Sequence, residues 1–213
     1  PAMYNAFYGK LGLNWDYGFM DISDIQDAEK FIAGKDWLSI NITTPYKPEA
    51  YEAATHKAAT AQLSKGVNLL ISHADVLLGY NVDGEGCVRF LQSQDVQFKG
   101  KDVVVCGTGP TSISILNACV QAGASHATLI GRDKDRAARI MERYLGDYRH
   151  LLRTAIDVSS PSDTTLSFEQ AYENAEFHYG SYDTSKNAIH SADVIIDATP
   201  LGMNEGDQAP FDT

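Results

Sequence analysis

Two short segments carry groups suited to moving a proton. Asn41-Ile42-Thr43-Thr44-Pro45-Tyr46-Lys47 ends in a lysine within a turn. Asn81-Val82-Asp83-Gly84 places a carboxylate just before a helix. An ammonium held by a carboxylate across a cleft can give a proton to a developing alkoxide and take it back. The carboxylate would orient the lysine and favour its charged form. Each segment also has a plainer reading, with Lys47 as a surface lysine and Asp83 as a helix cap. On residue types alone the plainer reading is favoured.

A third segment is more specific. Gly107-Thr108-Gly109-Pro110-Thr111-Ser112 follows an apolar run with three consecutive valines and precedes a helical pattern. It fits the G-x-G-x-x-G/A fingerprint, with Ser112 in the last place. The first glycine permits a tight turn, and the second lets backbone approach a pyrophosphate. The helix start supplies N–H donors and positive potential. Pro110 has no N–H, which costs little at a helix start. The competing reading is a structural glycine turn that binds nothing. Strand, turn, helix and second strand occur in the required order, which favours the dinucleotide site.

The second strand ends in Gly131-Arg132-Asp133-Lys134-Asp135-Arg136. Gly131 stands where an NAD site carries an acid for the ribose. Arg132 and Arg136 can grip a 2′-phosphate, which favours NADP over NAD. Asp133 argues for NAD, because it could bind a free ribose hydroxyl. The bland alternative is a solvated charge run, with Asp133 as a favourable first-turn acid.

Positioning these groups takes two halves of different pattern. In the first, Met3, Ala6, Phe7 and Leu11 predict an amphipathic opening helix. Tyr17–Asp21 reads as a short strand, and Asp24 as the cap of a helix through Ile32 that ends at Gly34. Trp37–Thr43 reads as a buried strand, and Pro45 and Pro48 as marking a turn and the start of a helix. His56–Leu63 reads as helical. Val67–Ile71 and Val76–Tyr80 suggest a hairpin, and Cys87, Phe90 and Leu91 share a helix face. In the second half, Asp102–Cys106, His126–Ile130 and Val194–Ala198 read as buried strands. Helices are expected near Ile113–Val120 and Ala137–Leu145, the first stopped by Gly123. Such alternation predicts a parallel sheet with right-handed crossovers. Between about 148 and 174 the pattern fades into an irregular insertion. The expected division is residues 1–95 and residues 96–213.

The chain has 213 residues, 44% hydrophobic and 21% charged, enough apolar material for a core. Seventeen basic against 28 acidic residues give a net charge of −11, which disfavours nucleic acid as a partner. Cys87, Cys106 and Cys119 do not make a disulfide framework, so a reducing cytoplasm is expected. No apolar run suggests a membrane span, and no signal peptide is evident. His56, His73, His126, His150, His178 and His190 show no metal-ligand spacing, so no metal site is expected.

Together the segments resemble the shikimate dehydrogenase family. Asn41–Lys47 is similar to that family's N-V-T-x-P-x-K, Gly66-Val67-Asn68 to A-V-N, and Asn81–Gly84 to N-T-D-G. Gly107–Ser112 resembles G-A-G-G-A-[AS], and Gly131–Arg136 resembles N-R-T-x-x-R. Ala198-Thr199-Pro200-Leu201-Gly202-Met203 matches A-T-P-L-G-M. The resemblance implies an N-terminal α/β substrate-binding domain followed by a Rossmann-like dinucleotide-binding domain. It implies reversible NADP-linked reduction of 3-dehydroshikimate to shikimate, a step toward aromatic amino acids. Lys47 would be the acid/base group and Asp83 its partner. Thr43 and Asn68 would bind substrate hydroxyls. Gly107, Thr108, Gly109, Pro110, Thr111, Ser112, Arg132, Asp133 and Arg136 would hold the dinucleotide. Ala198, Thr199, Pro200, Leu201 and Met203 would lie along the nicotinamide.

The alternatives are an NAD-preferring quinate or shikimate dehydrogenase and a non-catalytic, ligand-sensing relative. Retention of Lys47 and Asp83 argues against the latter. Val82 replaces Thr, Pro110 replaces Gly, Gly131 replaces Asn, and Asp133 replaces Thr. The family's S-x-S pair would precede Pro1, and a C-terminal part with a Tyr and a Gln would follow Thr213. The chain is therefore expected to be trimmed at both ends.

Overall fold

A computed structural model of the chain describes residues 1–154 and 168–211. It divides into two compact units, Pro1–Lys35 and Asp36–Thr213.

The first unit holds helices α1 (Ala2–Leu11) and α2 (Ile25–Gly34). Gly12, at φ 67°, ends α1 in the left-handed region that glycine tolerates. The Asp24 side chain caps α2 as expected, accepting the Gln26 N–H at 2.8 Å. Ala28 and Ile32, one turn apart, are its buried residues. The helical spacing of α1 holds, but Met3, Phe7 and Leu11 stay exposed. Tyr17–Asp21 forms no strand. The Asn5 side chain occupies both backbone groups of Tyr17 instead, accepting its N–H at 2.7 Å and donating to its carbonyl at 3.1 Å. The Tyr17 ring stacks on Tyr4 with centroids 4.3 Å apart.

The second unit contains two sheets. The first comprises β1 (Ser39–Asn41), β2 (His56–Lys57), β3 (Leu69–His73) and β4 (Val76–Tyr80), in the order β1-β3-β4-β2. The β3–β4 hairpin turns through Ala74 and Asp75. The buried strand expected over 37–43 is only three residues long and alternates between exposed and half-buried, because it lies at the sheet edge. Helix α3 (Lys47–Ala53) starts with Pro48 in its first turn. The helix expected from His56 begins at Ala59 as α4 (Ala59–Ser64). His56 and Lys57 instead pair in parallel with Leu78 and Gly79. Helix α5 (Asp83–Ser93) buries Val88, whereas Phe90 points to solvent.

The second sheet comprises β5 (Asp102–Cys106), β6 (His126–Gly131), β7 (Glu176–Ser181) and β8 (Val194–Asp197), all parallel, in the order β7-β6-β5-β8. Helices α6 (Pro110–Gln121) and α7 (Lys134–Thr154) are the crossovers from β5 to β6 and beyond. Helices α8 (Phe168–Glu173) and α9 (Lys186–Ser191) flank β7 in sequence. The irregular stretch expected over 148–174 is helical in its described part up to Glu173: α7 continues through Tyr148 and Leu151, both buried, and α8 takes Phe168–Glu173. Residues 155–167 lie outside the described residues. One sheet face carries Val103, Val105, Ala127 and Leu129 into the main core with Ile113, Leu116, Met141 and Tyr144. The other carries Val104, Cys106 and Ile130 against Ile189 of α9. Buried Tyr144 donates its hydroxyl to Asn117 at 3.2 Å, and Tyr148 accepts from Gln121 at 2.6 Å, so neither phenol is left unsatisfied in the core.

Strand order reverses at β5: β6 and β7 lie on one side of it and β8 on the other. A crevice at the carboxyl ends of β5 and β8 is the usual ligand position in such sheets.

Candidate active site

Asp83, Lys47 and Thr111 come together from three helix starts. The Lys47 ammonium donates to Asp83 Oδ2 and, at 2.7 Å, to Thr111 Oγ1. The Thr111 hydroxyl donates to the same Asp83 oxygen at 3.0 Å. Asn68 Nδ2 donates to Asp83 Oδ1 at 2.5 Å, while Asn68 Oδ1 accepts the Val82 N–H at 2.9 Å. These two bonds fix which way the Asn68 amide points.

Neither plain reading of the pair survives this geometry. The Lys47 and Asp83 side chains are only 12% and 22% exposed, so Lys47 is no surface lysine. Asp83 does not cap α5, because its carboxylate faces Lys47. Its own N–H is instead accepted by Asn81 Oδ1 at 3.2 Å. Asn81 is anchored through Nδ2 to Ser64 Oγ at 3.0 Å. Among the described residues, two of the three ammonium N–H groups of Lys47 are accounted for, leaving one for a ligand oxygen.

Two glycines set this convergence. A β-carbon on Gly84 would lie 1.9 Å from the Ser114 carbonyl oxygen, so α5 and α6 meet backbone to backbone there. The Gly84 N–H is accepted by Ser114 Oγ at 3.0 Å, tying the first turn of α5 to the second turn of α6. The contact brings Asp83 beside Thr111. Gly66 allows a second close approach, with Pro110 packed against its α-carbon. The Val67 N–H donates to the Lys47 carbonyl at 2.9 Å, which fixes the start of α3 beside β3.

The glycine-rich turn joins β5 to α6 at the strand-order reversal. Gly107 has φ 116°, and a β-carbon there would meet Ser112 Oγ at 2.4 Å and the Ala198 carbonyl oxygen at 3.0 Å. Nothing lies within 4 Å of the corresponding position on Gly109, so that glycine borders open space. Helix α6 has no side-chain cap. Ser112 Oγ is buried and has no hydrogen-bond partner among the described residues. An open glycine face, uncapped N–H donors and an unsatisfied buried hydroxyl fit a pyrophosphate at this turn.

At the end of β6 a β-carbon on Gly131 would lie 2.7 Å from Thr108 Cγ2, so any side chain there would have to push the Thr108 methyl aside. Arg132 and Arg136 are exposed. Asp133 Oδ1 accepts the N–H groups of Asp135 at 2.9 Å and Arg136 at 3.1 Å, which is the capping role. Tyr182, after β7, was not anticipated; burial pushes its phenol up to about 12, with Cys106 and Asp197 reinforcing and Arg132 opposing the shift.

Ala198 donates its N–H to Cys106 at 2.9 Å, placing the start of the 198–203 segment beside Gly107. Thr199 follows, its N–H accepted by Asp197 Oδ1 at 2.9 Å, and its hydroxyl accepts the Leu201 N–H at 3.2 Å. Pro200, Leu201 and Met203 are exposed. Asp207 holds the far end, accepting from Gly202 at 3.0 Å and Asn204 at 2.9 Å, and these N–H groups keep its carboxyl below the usual range. Thr43 is exposed next to the α3 turn, where its carbonyl accepts the Tyr46 N–H at 3.0 Å. Its side chain is not part of the Lys47–Asp83 network. Thr111, by contrast, was expected only at the dinucleotide and is found bonded to both Lys47 and Asp83. Asn81 and Ser114 were not singled out as supports. Their one signal was position: next to a candidate residue, and one turn after Thr111.

Residues 1–70 match the family model described as the shikimate dehydrogenase substrate binding domain. Shikimate dehydrogenase (NADP(+)) of Methanothermobacter thermautotrophicus is 27% identical over 206 residues, covering 96% of this chain and 64% of that protein. The Symbiobacterium thermophilum protein of the same name is 29% identical, covering 95% and 62%. The chain thus spans less than two thirds of the length of these relatives. Among solved structures, Thermus thermophilus shikimate 5-dehydrogenase, in complex with NADP(H) and shikimate, superposes with a TM-score of 0.75 at 19% identity. It is covered to 67%, and this chain fully. Quinate dehydrogenase of Corynebacterium glutamicum, in complex with NAD, gives 0.71 at 20% identity, with 100% of this chain and 70% of that one covered. These likenesses show the shared fold: an α/β domain followed by a Rossmann-like domain. With the motifs in order and the match of residues 1–70, the chain is similar to shikimate dehydrogenases along nearly its whole length.

Proposed function

We propose that the chain carries the catalytic core of an NADP-dependent enzyme that reversibly reduces 3-dehydroshikimate to shikimate. The observation that carries this reading is the Lys47–Asp83–Thr111 cluster, which links the substrate-side sheet to the first turn of the dinucleotide-side helix. The names of the curated relatives point the same way. On this reading residues 1–95 hold substrate and residues 96–213 hold dinucleotide.

Gly107, Thr108, Gly109, Pro110, Thr111 and Ser112 would hold the pyrophosphate, with Arg132 and Arg136 on the 2′-phosphate. Ala198, Thr199, Pro200, Leu201 and Met203 would line the nicotinamide. A reduced nicotinamide bound there supplies the hydride. Lys47 supplies the proton: its ammonium hydrogen-bonds the ketone oxygen, and the C=O π bond opens as the carbon accepts hydride. The O–H bond then forms at the expense of N–H. The neutral amine stays beside Asp83 and is reprotonated from solvent. In the oxidative direction it takes the proton back. Asp83 holds the amine in place and balances its charge. Asn68 would direct its second N–H to a substrate hydroxyl, and Thr43 would bind another.

The NAD-preferring alternative rested on Asp133, which spends an oxygen capping α7. Three free thiols suit a reducing cytoplasm, where we place the protein.

The test is reduced-nicotinamide absorbance with shikimate and with quinate, each against NADP and NAD. The fastest turnover is expected for shikimate with NADP. Lys47→Ala should lower turnover about 10²–10⁴-fold with little change in substrate affinity. Near-normal turnover would remove Lys47 from the mechanism.

A further inference from the structure

We propose that His126, Glu176 and His178 form a binding site for one divalent transition-metal ion, with Asp102 orienting His126. The site lies at the amino ends of β5, β6 and β7, the opposite end of the sheet from the glycine-rich turn. It does not depend on the activity proposed above.

Strand register brings the groups together. Asp102 pairs with His126, His126 with Glu176, and Thr128 with His178. Register partners share a sheet face, and alternate residues along a strand return to it. All four side chains therefore stand on the face that α9 covers only farther along, where Val104 and Ile130 meet Ile189.

The atoms converge without bonding one another. Glu176 Oε2 lies 3.7 Å from His126 Nε2 and 3.9 Å from His178 Nε2, and one ligand atom from each of the three residues lies within 4.8 Å of the others. These separations exceed a hydrogen bond. They are close to what a shared ion needs. Zinc–nitrogen and zinc–oxygen bonds of about 2.0–2.2 Å in a tetrahedron put ligands roughly 3.3–3.6 Å apart. The Glu176 and His178 side chains are exposed, so small rotations can close the gap.

The second observation is the support behind His126. Its Nδ1 lies 2.6 Å from Asp102 Oδ1, with Ser125 Oγ at 3.2 Å. A carboxylate only accepts, so Nδ1 carries the hydrogen, and Nε2, the nitrogen that faces Glu176, is the atom left to ligate an ion. A carboxylate–histidine pair behind a ligating nitrogen is the arrangement that fixes tautomer and raises ligand basicity at metal sites. Two imidazoles and a carboxylate suit zinc, cobalt, nickel or copper rather than magnesium or calcium. A cleft of about 380 Å³, lined by Asp102, His126, Thr128, His178, Thr184 and Asn187, adjoins the cluster and leaves room for a water in the fourth position.

Sequence spacing hides such a site, because its ligands come from two neighbouring strands with a long helix between them.

The test uses the chain without a polyhistidine tag, titrated with cobalt(II) and followed by its visible ligand-field absorption. One equivalent should give a band of tetrahedral intensity that zinc(II) abolishes, and excess magnesium should not. His126→Ala and His178→Ala should each remove the band. Asp102→Asn should weaken zinc affinity about 10–100-fold, read by competition with a chromophoric chelator. Zinc should also raise the thermal midpoint of the parent chain but not that of His178→Ala, whose circular dichroism checks that it is folded. Absence of the band, or a band that survives His178→Ala, overturns the proposal.

Discussion

Pro110 packs its ring against the α-carbon of Gly66 so closely that a β-carbon on Gly66 would lie 2.5 Å from Pro110 Cβ and 2.9 Å from Cγ. Both positions depart from the family motifs they resemble, which carry Ala at the first and Gly at the second. The two departures fit each other: the bulk lost in the loop before β3 is regained at the start of α6.

The pair is therefore coupled. Gly66→Ala alone should destabilise the chain by about 1–3 kcal/mol through overpacking. Combined with Pro110→Gly, the same alanine should cost much less. A double-mutant cycle from urea unfolding should give a coupling energy of about 0.5–3 kcal/mol in favour of the matched pairs. Additive losses would mean that the loop yields without help.

Arg132 and Asp133 are neighbours with different tasks. Arg132→Ala should weaken NADP far more than NAD, read as separate KM values for the two cofactors. Asp133→Ala removes two hydrogen bonds at the start of α7 and should cost about 0.5–2 kcal/mol of stability. It should leave the NADP to NAD ratio nearly unchanged. Equal losses of both cofactors in Arg132→Ala would mean that the guanidinium does not meet the 2′-phosphate.

Acid sensitivity has a structural source at Asp193. Its carboxylate accepts from the Lys101 ammonium at 2.8 Å and the Asp102 N–H at 3.0 Å, tying the start of β8 to β5. The Lys101 hydrogen bond, then the Asp102 N–H, holds its carboxyl below the usual range. A depressed folded-state carboxyl contributes stability above its unfolded value, and that contribution is lost as pH falls through the folded value. Asp193→Asn should lower the urea midpoint at neutral pH. The gap from the parent should close as pH drops below the ordinary carboxylate range, and shrink in high salt because the pair is exposed. A gap constant in pH would assign the effect to packing.

The sequence was most informative where the information is local. Three adjacent valines, a glycine turn and a helical pattern define β5, the turn and α6 because each element is contiguous and doubly buried. The capping of α2 by Asp24 was legible for the same reason. Elements that depend on partners elsewhere were misjudged. Tyr17–Asp21 has strand-like residues, but the side chain of Asn5, twelve residues earlier, took the backbone groups of Tyr17. The edge strand β1 is cut to three residues because, among the described residues, it pairs with β3 alone. The continuation of α7 had a signal, since Tyr144, Tyr148 and Leu151 keep helical spacing. Lys47 and Asp83 were legible as candidates, but residue types alone favoured the plainer reading, and only the family resemblance made them partners. Their meeting is made by helix packing at Gly84, which nothing in the spacing of the motifs reveals.

Thr111 is the clearest case of a role set by that packing. Its backbone sits at the first turn of α6 while its hydroxyl bridges Lys47 and Asp83. Thr111→Val keeps shape and removes both hydrogen bonds, leaving the ammonium with one fixed partner instead of two. Misorientation of a proton donor is expressed in turnover more than in binding. With shikimate and NADP, kcat should fall about tenfold, equivalent to roughly 1.4 kcal/mol, with KM for shikimate nearly unchanged. Thr111→Ser should retain most of the activity, since the hydroxyl is restored. If the hydroxyl instead serves only the dinucleotide, Thr111→Val should raise KM for NADP and leave kcat intact. Steady-state kinetics of the two variants, varying each substrate in turn, separates these outcomes.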